Sequence, residues 1–160
     1  MTKLKTDKSI IVALNSVLSA ELAAINQYFL HSEMHENWGY GRLHEIVRGH
    51  SIGEMKHAEQ VMARILYLGG LPNVQRLEKI NIGENVAEQL RSDLALEQDA
   101  IPRLNDGIAL CVQHGDNGTR ALFEEILVSE EEHLDWIESQ LEQIEHMGIE
   151  NYLAQQVRSE

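Results

Sequence analysis

Apolar side chains recur every three or four residues in four long stretches of the chain, and no stretch alternates apolar and polar residues as a half-buried strand does. This period predicts four long α-helices. We expect them at about 7–36, 42–68, 85–114 and 119–146, with a short fifth helix over about 149–157. The sequence therefore predicts an all-α fold, organised as one domain over residues 1–160.

The residues between these stretches are those that start and stop helices. Asp7 and Asn85 can cap helix N-termini with their side chains, and Glu88 stands where a capping box places a carboxylate. Glycines follow the helices, at Gly39, Gly41, Gly69, Gly70, Gly115 and Gly148. Pro102 predicts a kink in the third helix. Residues 69–84 are long enough to run the length of a bundle, which predicts a four-helix bundle with one long crossover between helices two and three.

Each long helix carries acid, or acid and imidazole, in the middle of its core-facing line of apolar residues. The interrupting residues are Glu21 in the first helix, His50, Glu54 and His57 in the second, Glu97 in the third, and Glu130 and His133 in the fourth. Two carboxylates about 4 Å apart repel by roughly 4 kcal/mol at an effective dielectric of 20. Because these lines contain no Lys or Arg, the acids need protons or metal cations.

Two divalent cations would balance four glutamates and two neutral imidazoles, and oxygen and imidazole ligands without thiolate suit Fe(II), Mn(II) or Zn(II). Glu54 and His57, like Glu130 and His133, are three residues apart and share one helix face. Taken alone, either pair is equally typical of solvated neighbours. Matched by Glu21 and Glu97, however, the pairs form the pattern of ferritin-like carboxylate proteins, so the sequence predicts a dinuclear metal site.

Composition narrows the range of partners. The formal net charge is -13 at pH 7, which repels nucleic acid and anionic lipid surfaces, and no apolar run approaches the roughly 20 residues that span a bilayer. Lysines before the first apolar segment imitate a secretory signal, but Asp7 and Asn15 interrupt it. The single cysteine, Cys111, cannot form an internal disulfide and suits a buried position. We expect a cytoplasmic protein.

Five segments of the chain resemble bacterioferritins: residues 21–31 (ELAAINQYFLH), 51–57 (SIGEMKH), 65–73 (ILYLGGLPN), 91–97 (RSDLALE) and 130–136 (EEEHLDW). The resemblance implies a subunit of a hollow 24-subunit cage built from dimers. Such cages oxidise Fe(II), with oxygen or hydrogen peroxide, at an intrasubunit site for two iron ions and store the Fe(III) mineral inside. The resemblance also implies haem b shared between two subunits, held by one Met from each.

Carried over residue by residue, the resemblance assigns catalytic metal ligands to Glu21, Glu54, His57, Glu97, Glu130 and His133. It implies that Glu54 and Glu130 bridge the two ions. Tyr28 and Trp136 match aromatics near the family's metal site, although core packing explains them equally well. The haem ligand falls on Met55, which lies on a second apolar face formed with Ile52, Met62 and Leu66.

This sequence also departs from the family. Many relatives carry His, Glu and Asp at the positions of Gly49, His50 and Gly53, where these side chains are associated with iron at the inner cavity surface; two of the three are glycine here. The inner-surface site is therefore in doubt, whereas the primary ligand set is intact. The family releases iron through a ferredoxin-type reductant, for which Leu71, Glu84 and Glu88 are candidate contacts.

Three other functions remain open. The same bundle carries peroxidases of the rubrerythrin type and dimanganese catalases, but the first usually adds a cysteine-rich iron domain that this chain lacks. A haem-carrying or structural cage subunit without turnover, mixed with a sibling subunit, is another alternative. A DNA-protecting mini-ferritin is disfavoured, because that class builds its metal site between subunits with other ligand spacings.

Overall fold

A computed structural model of the protein describes residues 3–158, so the two residues at each end of the predicted 1–160 domain lie outside it. Within that range the chain forms five α-helices and no strand: α1 (Lys8–Asn37), α2 (Gly41–Tyr67), α3 (Val86–His114), α4 (Asn117–Met147) and α5 (Ile149–Ala154). The predicted all-α fold and the long connection between α2 and α3 are confirmed. α5 is shorter than predicted, and Pro102 lies inside α3 without ending it.

The helix ends follow the capping chemistry in the sequence. The Asp7 carboxylate accepts the backbone N–H of Ser9 at 2.8 Å, and the Asn85 side chain accepts that of Glu88 at 2.9 Å. The Glu88 carboxylate in turn accepts the N–H of Glu84, one residue earlier than in the usual capping box. Gly115 ends α3 at φ 67°, a left-handed conformation that glycine adopts without steric cost.

Four helices form a ring in which α1 packs against α2 and α3, while α4 packs against α3 and α2. Two apolar clusters fill the ends of this bundle. One cluster is built around Leu14, Leu18, Ile65, Leu104 and Phe123, and the other around Leu43, Leu90, Ile137 and Tyr152. α5 closes the second end, where the Tyr152 hydroxyl donates to Gln140 at 2.8 Å. The acidic residues predicted from the sequence lie between the two clusters.

The crossover between α2 and α3 is attached to the bundle through its own backbone. The N–H groups of Asn73, Asn81 and Gly83 donate to the side chains of Asn15, Gln27 and His31, at 2.8, 3.1 and 3.1 Å. Several crossover side chains remain outside, including Leu71, Val74 and Leu77. The polar face of α1 thus holds the main chain of the crossover in place and leaves its apolar side chains exposed.

α1 differs from the sequence expectation in one respect. By length and composition it is apolar enough to cross a membrane, and half of its most apolar 18-residue window is buried inside the bundle. Ile10, Leu14 and Leu18 are completely buried there. α1 is therefore the core helix of the bundle, and its hydrophobicity is explained by helix packing.

Candidate metal centre

Each of the four long helices contributes one glutamate to the middle of the bundle. Glu21 on α1, Glu54 on α2, Glu97 on α3 and Glu130 on α4 are each only 1–2 % exposed. The imidazoles of His57 and His133 lie one helical turn beyond Glu54 and Glu130 and complete the cluster. The structure thus brings all six predicted ligand residues together.

The six side chains divide into two groups that share two members. Glu21, Glu54, His57 and Glu130 form one group, and Glu54, Glu97, Glu130 and His133 form the other; within each, the potential ligand atoms lie within 4.8 Å of one another. This is the size of a metal coordination sphere. The sequence predicted one dinuclear site with these six residues, and their arrangement in two groups comes from the structure.

The shared glutamates direct one oxygen to each position. Glu54 places Oε2 3.5 Å from His57 Nδ1 and Oε1 3.0 Å from His133 Nδ1. Glu130 places Oε1 3.3 Å from His57 Nδ1 and Oε2 3.5 Å from His133 Nδ1. Glu21 approaches only the first imidazole, at 3.6 Å, and Glu97 only the second, at 3.5 Å. This is the geometry of two bridging and two terminal carboxylates.

Several buried ligand atoms lack a hydrogen-bond partner. They are Glu21 Oε2, Glu54 Oε1, His57 Nδ1, Glu97 Oε2, Glu130 Oε1 and His133 Nδ1. A buried polar atom without a partner costs about 1–3 kcal/mol, and more when it is charged. Six such atoms around one point fit divalent cations, and a donor set of carboxylate oxygen and imidazole nitrogen suits iron, manganese or zinc.

Without metal, protons balance the charges of the cluster. Burial, reinforced by the neighbouring Glu54 carboxylate, raises the pKa of Glu21 well above its usual range. Burial also raises the pKa of Glu97, to about 8. Burial alone would raise the pKa of Glu54, yet the nearby Glu21 carboxyl and the two imidazoles lower it to about 2.

The imidazoles hold protons for the complementary reason. Burial alone would lower their pKa values, but the approach of Glu130 and Glu54 raises the pKa of His57 to about 10 and that of His133 to about 12. Glu97 and both histidines therefore carry protons near neutral pH, and the raised pKa of Glu21 favours a proton there as well. Cations that enter the cluster must displace those protons.

A small cavity adjoins the cluster on the side of α1 and α3. Its volume is about 10 Å³, and the side chains that line it besides the glutamates are Ala20, Ala24, Leu96 and Ala100. This is room for one water-sized species. The small alanine side chains leave that room directly beside the carboxylates.

The two aromatics singled out in the sequence lie beside the cluster in different ways. The Tyr28 hydroxyl donates a short hydrogen bond to Glu97 Oε1, and the ring is completely buried. Trp136 instead packs edge-on against the imidazole of His50, with ring centroids 5.0 Å apart. Tyr28 thus touches a predicted ligand directly, whereas Trp136 contacts His50, which in turn contacts the ligand His133.

Met55 points away from the cluster, as predicted. Its side chain is 41 % exposed, and Ile52 and Leu66 on the same helix are also exposed. The Met55 thioether could hold a haem iron, and the exposed apolar side chains beside it could contact the macrocycle. The residues on this face therefore fit a haem.

The predicted reductant contacts lie at the two ends of the crossover. Leu71 is 81 % exposed, and Glu84 is exposed. Glu88 is partly buried and caps α3 through the N–H of Glu84, which gives it a structural role besides any contact with a partner.

The chain is similar to known proteins over most of its length. Residues 11–147 match the family described as ferritin-like domain. The chain is 48 % identical over 149 residues to a bacterioferritin from Mycolicibacterium paratuberculosis, covering 93 % of this chain and 94 % of the relative. The chain belongs to the bacterioferritin family. Further bacterioferritins, from Streptomyces coelicolor and Brucella melitensis, are 43 % and 40 % identical, covering 92 % and 93 % of this chain and 89 % and 92 % of those relatives.

Membership of the bacterioferritin family establishes iron storage as the function of this chain, as the resemblance had implied. The match spans nearly the full length of these relatives. The four-helix bundle and the short C-terminal helix agree with the ferritin-like domain.

Sequence reasoning missed a buried polar network beside the bacterioferritin cluster. Asp93 accepts hydrogen bonds from Gln27 at 2.8 Å and from Nδ1 of His31 at 2.9 Å, and all three side chains are buried. Since the Gly83 N–H donates to Nε2 of His31, the Nδ1 proton faces Asp93. The signal was available: Asp93 lies one helical turn before Glu97, on the same face.

Proposed function

We propose that this bacterioferritin subunit is a ferroxidase, in which Fe(II) is the substrate and Glu21, Glu54, His57, Glu97, Glu130 and His133 bind it. The observation that carries the proposal is the pair of ligand groups that share Glu54 and Glu130. Glu21 and His57 complete one iron position, and Glu97 and His133 complete the other. The two carboxylates in common keep both iron ions within reach of one oxidant.

The buried groups perform three tasks in this reaction. The protonated carboxyls and imidazoles release their protons as Fe(II) arrives, because only the unprotonated forms bind metal. Two Fe(II) ions then lose one electron each. Dioxygen takes up two electrons and two protons to become hydrogen peroxide, or hydrogen peroxide takes up two of each to become two waters. Tyr28 orients Glu97 through the hydrogen bond that its hydroxyl donates.

The wider assembly belongs to the same proposal. We infer one domain over residues 1–160, a 24-subunit cage of dimers that encloses the mineral, and a cytoplasmic location. Met55 would hold haem b together with Met55 of a second subunit, and a ferredoxin-type reductant would dock near Leu71, Glu84 and Glu88. The exposed thioether and the apolar side chains around it support the haem assignment.

Anaerobic addition of two Fe(II) per subunit, followed by air, tests the ferroxidase assignment. We expect a fast absorbance rise between 300 and 400 nm that saturates at two iron ions per subunit. Glu21→Ala and His133→Ala should each slow the initial rate by at least tenfold. Glu131→Ala and His146→Ala are matched controls, because these side chains lie exposed on α4. Full initial rates in Glu21→Ala and His133→Ala would refute the assignment.

The haem proposal has its own spectroscopic test. The isolated protein should show a Soret band that disappears in Met55→Ala and shifts in Met55→His, while oxidation of the first two Fe(II) per subunit is unchanged. A Soret band retained unchanged in Met55→Ala would contradict the proposal. Native mass distinguishes a 24-subunit cage from a smaller assembly.

A further inference from the structure

His50 packs directly on the imidazole of His133. Their ring centroids are 4.3 Å apart with an interplanar angle of 37°. The Trp136 ring stands edge-on against His50 at 5.0 Å, and the Tyr28 ring meets His50 at 5.7 Å and His133 at 6.2 Å, also edge-on. Rings from two other helices therefore contact the His133 imidazole: His50 from α2 and Tyr28 from α1.

His50 supplies the ring contact that α2 makes with His133. Gly49 and Gly53 flank it on the same helix, and a Cβ added at either glycine would meet nothing within 4 Å. From α2, His133 is thus approached by the His50 ring and by Glu54, whose Oε1 lies 3.0 Å from His133 Nδ1.

His50 contacts His133 through the flat face and edge of its ring. His50 Nδ1 is buried without a hydrogen-bond partner, so no such bond orients it toward His133. Stacked and edge-on rings restrict the rotation of a neighbouring side chain, and such pairs contribute beyond the area that they bury. Within residues 3–158 the structure records ring contacts of this kind for His133 and not for His57.

We propose that His50 is a positioning residue that holds the His133 imidazole in place for the metal position formed by Glu54, Glu97, Glu130 and His133. This inference rests on the proposed dinuclear site. It predicts that the two metal positions respond differently to loss of the His50 ring. Metal binding should weaken at the position that contains His133. Binding at the position that contains His57 should be unchanged, because residues 3–158 show no such ring contact for His57.

Co(II) binding tests this without turnover, through the visible absorbance of bound Co(II). Each position is isolated in turn: Glu21→Ala leaves the His133 position intact, and Glu97→Ala leaves the His57 position intact. In the Glu21→Ala background, we expect His50→Ala to raise the Co(II) dissociation constant about tenfold. In the Glu97→Ala background, the same substitution should leave it unchanged.

His50→Phe separates positioning from ligation, since it keeps a flat ring and removes both nitrogens. We expect it to restore Co(II) affinity in the Glu21→Ala background. His50→Leu fills the space without a flat ring and should behave like His50→Ala, and it serves if the alanine variant does not fold. His146→Ala, which removes an exposed imidazole from α4, is the control.

Several results would overturn the inference. If His50→Ala binds Co(II) as tightly as the parent in the Glu21→Ala background, His50 has no role in positioning His133. If His50→Ala and His50→Phe lose the same Co(II) affinity, His50 is a direct ligand. Weakening of both positions indicates general loosening of the bundle. If the unsubstituted protein fails to bind two Co(II) per subunit, the dinuclear site itself is wrong. That result is distinguishable, because it is measured on the unsubstituted protein, in which His50 is unchanged.

Discussion

Metal binding should release four protons per subunit at pH 6.5, one from each of Glu21, His57, Glu97 and His133. All four groups have pKa values raised above their usual range, and for Glu97, His57 and His133 these are about 8, 10 and 12. Two divalent cations bring four positive charges, so the exchange leaves the charge of the buried centre unchanged. This balance is why the exchange is favourable in a site that is nearly closed to water.

The number of protons should depend on pH in one direction. As the pH rises through 8, Glu97 becomes ionised in the metal-free protein, and the release falls from four protons toward three. At pH 6.5 the removal of this proton costs about 2 kcal/mol, from the difference between pH and pKa. Glu97 alone therefore makes the apparent metal affinity rise about tenfold per pH unit up to pH 8.

The assay is anaerobic titration with Co(II) or Fe(II) in weak buffer, with the proton release followed by a pH-stat. The Glu97→Gln variant should release three protons on metal binding at pH 6.5. The fall in proton release near pH 8 should be absent, because an amide carries no ionisable proton. Glu131→Gln changes an exposed side chain on α4 and should behave like the parent. Release of two protons or fewer at pH 6.5 would refute the reasoning, since the carboxyls would then be ionised before metal arrives.

Three further predictions concern stability, measured as the thermal unfolding midpoint of the metal-free protein. Asp93→Leu leaves the buried donors of Gln27 and His31 without an acceptor, which costs about 1–3 kcal/mol for each, whereas the exposed Asp135→Leu should change the midpoint little. Gly107→Ala places a Cβ 2.7 Å from the buried ring of Phe123 and should cost about 1–3 kcal/mol. Burial lowers the pKa of His35 to about 4. Since the unfolded chain takes up this proton near pH 6.5, stability is lost between pH 6.5 and 4, by up to about 3 kcal/mol, and His35→Gln should reduce that loss. An unchanged midpoint in Asp93→Leu or Gly107→Ala, or an unchanged pH dependence in His35→Gln, would contradict the corresponding prediction.

Much of the fold could be predicted from local sequence chemistry. Asp7 and Asn85 mark the starts of α1 and α3, and Gly115 marks the end of α3, because capping and left-handed glycine are properties of a few adjacent residues. The six metal-binding candidates could be found because a carboxylate on an apolar helix face is conspicuous. Their meeting in the structure follows from the same helical period.

Other features depend on distances between helices, which the sequence does not contain. Glu54 and Glu97 look alike in sequence, yet their pKa values shift in opposite directions because Glu54 lies between both imidazoles. The contact between the rings of His50 and His133 likewise joins α2 to α4. Spacing along one helix could not reveal either relation.

The crossover illustrates how a long segment can keep its place while its sequence changes. Asn15, Gln27 and His31 recognise backbone N–H groups, which every residue except proline provides. Substitutions at exposed positions such as Leu71 and Val74 therefore leave these attachments intact. The outer surface of the crossover can therefore acquire new contacts by substitution while its backbone keeps the same path. Within the subunit, substitutions at the exposed positions of the crossover therefore carry little risk to the bundle.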